Sequence, residues 1–582
     1  MNLCIPSARA ASQRFALTII LSATCGLNPA AQQPGGIQVP PAATPGSARP
    51  FTPGMSIPEL AQQDALEAPP LVERPQDLED GPRLNVRQIE IEGAVDRPEH
   101  AVSLTDIQAI LSRHLAAQPV EGYTIRELEE IADDVTLYYR RQGLILAQAF
   151  LPAQDVQDGV ITLQVAEGSL AGIEVEGNNL YAPGVMSAPF EELLGQPVEE
   201  GAIEQALLTL RDFPGLSVHG TFREGQDLGD TELLVRVIEE KRVSVTSSFD
   251  NYGSAFTGET RGLIQFEVNN PLGSADRFAG YVLQTFNPQN GTYGGFDYSN
   301  TVAGGMSTLG FGVSKNQFDV TDASLGALGL EGEVEQANLF FRHGFANTRT
   351  YRANGILDLS YKDAVTIVPN PINPADELMV LSYTFDYYSV GRQARGVNLG
   401  YLTLAAGDNA SDHPSRQGGS GKLANGSFGK FGFGYQRLQN IGENHALLIR
   451  LNGQYSDDTL VSLEQYSIGG PANVRAYPAA EALVDSGGSA TLEWIIDLPG
   501  FTNRVWRHVF QFSLYADYAG GEINDPLPFQ ERTVDYSGYG VGLQLGIAEK
   551  FHLRLDAATP TSDRVASNKR DPQYYLSASY TF

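Results

Sequence analysis

Cysteine is nearly missing from this 582-residue chain, which has only Cys4 and Cys25. Methionine (5) and tryptophan (2) are scarce, and charged residues make up 19%, against roughly 25% in soluble domains. Basic residues are outnumbered by acidic ones, 39 to 69, for a formal charge of −30. A nucleic-acid protein would carry a basic footprint, so no nucleic-acid partner is expected. No apolar run reaches 18 residues, which excludes a helical membrane protein. A membrane β-barrel is not excluded, because its apolar residues alternate and vanish in a window average. Motifs of chemistry are also missing. The eight histidines show no HExxH or ligand spacing, no G-x-S-x-G elbow occurs, and Gly418–Lys422 lacks the P-loop spacing. Neither an enzyme nor a metal or cofactor is expected. What is plentiful is Gly (61), Phe (27) and Tyr (25).

The N-terminus carries Arg9 and Arg14, then the apolar stretch Phe15–Leu27, then Ala30 and Ala31. This outlines a secretory signal over 1–30. Both cysteines lie inside it, so the exported chain would use no disulfide. Residues 31–83 hold 11 prolines and read as a linker that cannot bury a core. Only Ile57–Leu66 in it has the length and composition for a short helix.

From Leu84 an α+β pattern begins. Leu84, Val86, Ile89 and Ile91 suggest a strand, Ser103–Leu115 a helix, and Thr124 with Glu127 a capping box opening a second helix that ends at Gly143. Strands Ile145–Leu151 and Val160–Val165 follow. The order β-α-α-β-β then returns, with Ile173–Val175, helices at about 187–194 and Glu199–Phe213, and strands Leu216–Phe222 and Glu232–Ile238. The domains are therefore 84–168 and 169–242.

From Val243 no helix is expected. The last 340 residues read as sixteen strands of about 9 to 13 residues, starting near Val243, Glu259, Asp276, Thr292, Ser307, Glu335, Tyr351, Leu378, Ala394, Phe428, Ala446, Ser489, His508, Ser537, Lys550 and Gln573. Parity is the test. Tyr574, Leu576, Ala578, Tyr580 and Phe582 oppose Tyr575, Ser577, Ser579 and Thr581. Phe551, Leu553 and Leu555 oppose His552, Arg554 and Asp556. One face suits lipid and the other a wet lumen. Connections alternate between short ones (Asn270–Ala275, Gly391–Gln393, Ala548–Glu549) and long ones (Asp319–Gly332, Asp363–Glu377, Gly407–Ser427, Ser456–Gly488, Pro560–Asp571). The fold class is mainly β, a 16-stranded antiparallel transmembrane barrel over 243–582 behind two α+β domains.

The two repeats, with the Glu167-Gly168 turn closing the first, resemble POTRA domains, which implies a periplasmic place for them. The longest loop, Ser456–Gly488, holds Gly469-Gly470-Pro471-Ala472-Asn473-Val474-Arg475-Ala476-Tyr477. It resembles the GG…VRGY loop of POTRA-bearing outer-membrane barrels, with Ala476 where that family has Gly. A left-handed backbone at that place would strain Ala by about 1 kcal/mol. By parity Glu493 on strand twelve and Asp517 on strand thirteen point inward, and the resemblance implies that they hold Arg475. The plain alternative is an exposed loop charge above two acids in a wet pore.

Taken together, residues 84–582 resemble a TpsB transporter of two-partner secretion, of the haemolysin-activator type. The resemblance implies a monomeric pore in outer-membrane lipid, exporting one large, unfolded, β-helical exoprotein, and often an N-terminal plug helix. An outer-membrane protein insertase of the same superfamily, with more repeats, is one alternative. A passive porin or a receptor is the other.

Overall fold

A computed structural model of the chain describes residues 66–67 and 83–582, except 157, 228, 288–289, 321–328, 368–372, 392–394, 499–509 and 548–549. The expected signal, most of the linker and the expected strand starts at Ala394 and His508 lie outside the described residues. Of the expected helix Ile57–Leu66, only Leu66 is described, and it lies in a strand, β1 (Leu66–Glu67).

The first α+β unit runs β2 (Gln88–Glu92), α1 (Leu104–Ala116), α2 (Ile125–Arg141), β3 (Gln148–Phe150) and β4 (Val160–Ala166). The strands order as β2-β4-β3, with β2 parallel to β4. Helix α2 begins where the sequence demands: Glu127 N–H donates to the Thr124 hydroxyl, and Thr124 N–H donates to Glu127 at 2.7 Å. Such reciprocal bonds satisfy two donors that a helix start otherwise leaves open. Leu128, Ile131, Val135 and Tyr139 follow at helical spacing and bury against Ile161 and Leu163 of β4. The first strand starts later than its apolar pattern suggested. Leu84 instead makes an isolated bridge to Tyr123, beyond the reach of β4.

The second unit runs β5 (Ser169–Glu176), α3 (Pro183–Ser187), a 3-10 turn (Ala188–Leu193), α4 (Glu200–Arg211), β6 (Leu216–Glu224) and β7 (Asp230–Glu240). The single helix expected at 187–194 is thus two pieces, with Pro189 among the first residues of the 3-10 turn, where its missing N–H costs no bond. Its sheet orders as β1-β6-β7-β5, so Leu66–Glu67 lies parallel on the β6 edge, opposite Gly220 and Thr221. Between the units, Gly168 has φ +76°, and a Cβ there would stand 2.7 Å from the Leu146 Cβ. Glu167 beside it accepts from Arg97 at 2.9 Å.

Sixteen strands close into an antiparallel barrel. They are β8 (Val243–Asp250), β9 (Thr260–Asn269), β10 (Asp276–Asn287), β11 (Gly291–Val302), β12 (Ser307–Asp319), β13 (Glu331–Asn347), β14 (Tyr351–Ile367), β15 (Ala375–Gly391), β16 (Gly396–Asn409), β17 (Gly426–Asn440), β18 (His445–Tyr455), then β21 (Ser486–Asp497), β22 (Phe510–Glu522), β23 (Thr533–Ile547), β24 (Phe551–Pro560) and β25 (Gln573–Thr581). Two short strands, β19 (Tyr466–Ile468) and β20 (Ala482–Val484), pair inside the long loop. Strand β25 closes on β8, ending at Thr581 opposite Thr246. Strands β13 to β15 reach 17 residues, longer than expected, and the extra length of β13 is charged. Glu333 and Glu335 there take Lys315, so those turns stand in water rather than lipid.

Outward positions carry the apolar band: Phe266, Phe296, Leu339, Leu357, Leu381, Leu404, Leu492, Trp494 and Val541 are all exposed. In water such a surface would drive aggregation, whereas in a bilayer it meets hydrocarbon. Among the described residues no helix is long and apolar enough to cross a membrane. The second α+β unit sits on the turns at the β8 entry side. Ala275 of the β9–β10 turn joins that unit's core, Asn270 donates to the Leu180 carbonyl at 2.6 Å, and Arg352 meets Asp212 at 3.0 Å. These turns therefore face the side of the α+β units, and the long loop lies at the other end.

Candidate functional site

The long loop between β18 and β21 folds inward. Its turn begins at Gly469 (φ +102°) and Gly470 (φ +83°), a backbone that a side chain would strain. Asn473 stitches the turn, accepting from Gly469 N–H at 2.7 Å and donating to the Ser467 carbonyl at 2.8 Å. Val474, Ala476 and Tyr477 are fully buried next, and so is Arg475 at 3% exposure.

The structure brings Arg475, Asp517 and Glu493 together. Arg475 Nε donates to Asp517 Oδ2 and Nη2 to Asp517 Oδ1, both at 2.8 Å. This is the two-pronged geometry in which a planar guanidinium and a carboxylate match. Nη1 donates to Glu493 Oε2 at 2.9 Å, and Asp556 Oδ1 lies 3.6 Å away. Thr491 holds Asp517 from the side at 2.9 Å. The guanidinium carbon stands 3.2 Å from the centroid of the Tyr515 ring, a stacked cation–π contact. Every oxygen of this pair of acids is thereby engaged, because Arg554 takes Glu493 Oε1 at 3.0 Å and clasps Asp556 with two bonds.

Several of these partners went unassigned in the sequence. Parity did put Arg554 and Asp556 on the inner face of β24, but nothing along the chain signals that they stand beside Glu493, 61 residues away. Tyr515 is adjacent in number to an expected outward residue, so only its inward direction was legible. The expected strain at Ala476 is absent. Its φ is not left-handed, and the left-handed alanine of this loop is Ala480 (φ +54°).

A second set of charges anchors the base of the same loop, and sequence reasoning missed it. Glu464, 2% exposed, lies between Lys362 of β14 and Lys430 of β17, each at 2.6 Å. Asp485, fully buried, accepts from Arg416, Leu460 N–H and Gln465 through one oxygen and from Asn524 N–H through the other. Arg416 also reaches the Leu460 and Asn524 carbonyls, knotting three loops at one point. Among the described residues no group of His, Cys, Asp and Glu has the arrangement of a metal site.

A profile of the haemolysin secretion/activation proteins ShlB/FhaC/HecB matches residues 229–545, and a ShlB-type POTRA domain profile matches 84–168. The heme/hemopexin transporter protein HuxB of Haemophilus influenzae is 24% identical over 533 residues, covering 86% of this chain and 88% of HuxB. The outer membrane transporter CdiB of Escherichia coli is 26% identical over 452 residues, with 73% and 72% covered. The solved structure of Escherichia coli CdiB superposes with a TM-score of 0.66 at 19% identity, over 88% of this chain and 93% of that one. BamA of Haemophilus ducreyi, lacking POTRA domains 1–3, superposes at 0.54 and 14% identity, over 86% and 100%. The two solved structures speak for the fold. The chain belongs to the ShlB/FhaC/HecB haemolysin secretion/activation family, an outer-membrane barrel with its POTRA domains in the periplasm.

Proposed function

We propose that this family member exports one large, unfolded, TpsA-type exoprotein across the outer membrane, acting as a monomeric conduit without catalysis and without a cofactor or nucleic acid. The observation that carries the reading is the β6 edge of the second periplasmic unit. It already accepts an extended segment, the chain's own Leu66–Glu67, in parallel register. Strand addition draws its affinity from main-chain hydrogen bonds and so tolerates many sequences, as a carrier of an unfolded chain requires. The exoprotein takes that edge in place of Leu66–Glu67 and passes to the barrel mouth. The Arg475 clamp holds the loop tip on the β21–β24 wall during this passage. Folding at the cell surface supplies the direction, since no nucleotide is available outside the inner membrane.

The test is export of a large exoprotein encoded with this chain, in cells carrying the wild type, Arg475→Ala, or a deletion of residues 84–238. Export is expected from the wild type alone, with all three barrels inserted in the membrane. Undiminished export by the deletion would refute docking on the repeats, and undiminished export by Arg475→Ala would refute the clamp's role.

A further inference from the structure

Among the described residues the loop touches two walls of the barrel and leaves a third open. On one side Leu460, Val461 and Leu463 form a dry core with Leu378, Val380 and Ala405 of the inner wall, closed by the Glu464–Lys362–Lys430 cluster. On the other, Val474, Tyr477 and Val484 pack on Tyr515, Tyr536 and Ala558 around the Arg475 clamp, and Tyr575 donates to the Tyr477 carbonyl at 2.5 Å. Apolar contact and buried charge pairs hold both sides. Breaking either would leave unpaired charges out of water.

Against β8–β12 the situation differs. A cavity of about 710 Å³ lies in mid-barrel, bordered there by Ser248 and Gln265. A second, of about 360 Å³, lies toward the outer rim, bordered by Thr285, Tyr293 and Asn316. Tyr252, Tyr466, Ser467, Pro471 and Ala472 border both, so the two meet at the loop's turn. The charges on this wall neutralise one another: Arg261 pairs with Asp250 at 2.7 Å, and Arg277 lies between Glu267 and Asp297. What remains on the wall is mostly hydroxyl, amide and tyrosine surface, with Leu263, Leu283 and Phe318 among it, which can hydrogen-bond a peptide backbone; Arg450, Arg475 and Arg554 face the mid-barrel cavity from the other side.

We propose that the exported polypeptide runs in extended form between the Gly469–Ala472 turn and the inner face of β8–β12, with the loop staying clamped to the other walls. This rests on the export reading above. The two cavities share the loop's turn as a border and follow one another along this wall, which suits a chain lying lengthwise in extended form. The chain therefore passes beside the loop rather than by expelling it.

The chain's cysteines are Cys4 and Cys25, so their replacement by Ser leaves a background for single reporters. Gln265→Cys, Tyr293→Cys, Val380→Cys and Ala405→Cys are each placed in the full-length protein in a planar bilayer. A cationic methanethiosulfonate reagent is then applied while conductance is read. A several-fold loss at Gln265→Cys and Tyr293→Cys, with little change at Val380→Cys and Ala405→Cys, is the expected pattern. An equal or larger loss at Val380→Cys or Ala405→Cys overturns the path. An unstructured 20-residue Gly/Ser/Asn peptide, added from the periplasmic side, is the probe for the occupant. It should block the current, and the block should vanish once Gln265→Cys is modified. Ion flow along β8–β12 with no block by the peptide overturns the export reading while keeping the path. Finally, Lys362→Cys with Glu464→Cys, bridged by a short bifunctional thiol reagent, fixes the loop base. Peptide block is expected to persist, and its loss would mean that the loop must leave.

Discussion

A Cβ added to Gly538 of β23 would stand 2.3 Å from the Cβ of Ala476, with Ala476 itself wholly buried. The methyl of the loop tip thus sits in the space that a missing side chain on the wall leaves free. Gly538→Ala should unseat the tip at a cost of about 1–3 kcal/mol, the range of core overpacking, whereas Ala476→Gly should be accepted. Protease cutting within 469–481 on intact cells reads the difference. Equal protection of the two variants would show that this contact does not seat the tip.

The clamp itself makes a sharper prediction. Arg475→Ala leaves Asp517 and Glu493 buried with too little positive charge, which costs about 3–5 kcal/mol of seated loop. Arg475→Lys keeps the charge but cannot reproduce two parallel bonds and a stacked ring, so it should rescue only in part. The shift of the barrel band between unheated and heated gel samples checks that each variant is folded. A lysine variant indistinguishable from wild type in tip protection would mean that charge alone suffices.

The Glu464 anchor should respond differently to one change and to three. Glu464→Gln leaves Lys362 and Lys430 facing each other and should loosen the loop base, seen as faster hydrogen exchange over 456–465. Glu464→Leu combined with Lys362→Met and Lys430→Met removes the buried charges altogether and should restore protection. Persistent loosening in the triple variant would show that the charges do more than anchor.

In the periplasm, the Thr124 cap should be worth about 1 kcal/mol to α2, so Thr124→Ala should raise hydrogen exchange in that helix. Glu127 gives the effect a pH dependence. The Thr124 N–H holds its carboxyl below the ordinary value, against opposing burial, with Arg83 assisting. A carboxylate whose folded value is depressed stabilises above its unfolded value and loses that support as pH falls through the folded one. The gap between wild type and Glu127→Gln should therefore be full near neutrality and shrink in acid. A gap that widens on acidification would contradict the assignment.

The seat of the second periplasmic unit on the barrel depends on Gly305 of the β11–β12 turn, whose φ is +96° and where a Cβ would stand 2.2 Å from the Thr209 methyl of α4. Gly305→Val should lift α4 off its turn, lowering export while the barrel stays inserted. Exchange at α4 amides gives the readout, and an unchanged α4 would show the contact to be dispensable.

Some of this was legible along the chain. Period-2 alternation requires no partner to be seen: once Trp494 and Leu492 go to lipid, Glu493 must go inward, and the same logic turns Asp517 and Arg554 to the lumen. Capping chemistry is equally local, and Thr124 with Glu127 announced α2. The GG…VRAY pattern marked the loop tip by likeness to a family rather than by any local rule.

Sequence by itself determined the number of barrel strands, which face of the C-terminal strands meets lipid, where the second helix of the first repeat starts, and which of their charges point into the lumen, because these follow from neighbours one to four residues apart. Tertiary structure alone decided that Arg554 shares Glu493 with Arg475, that Glu464 lies between lysines of β14 and β17, that Ala476 meets a bare place at Gly538, and that cavities lie along the β8–β12 wall. Those relationships join residues tens of positions apart around a closed barrel, and they arise only when closure and the inward fold of the loop bring distant strands to the same few ångströms.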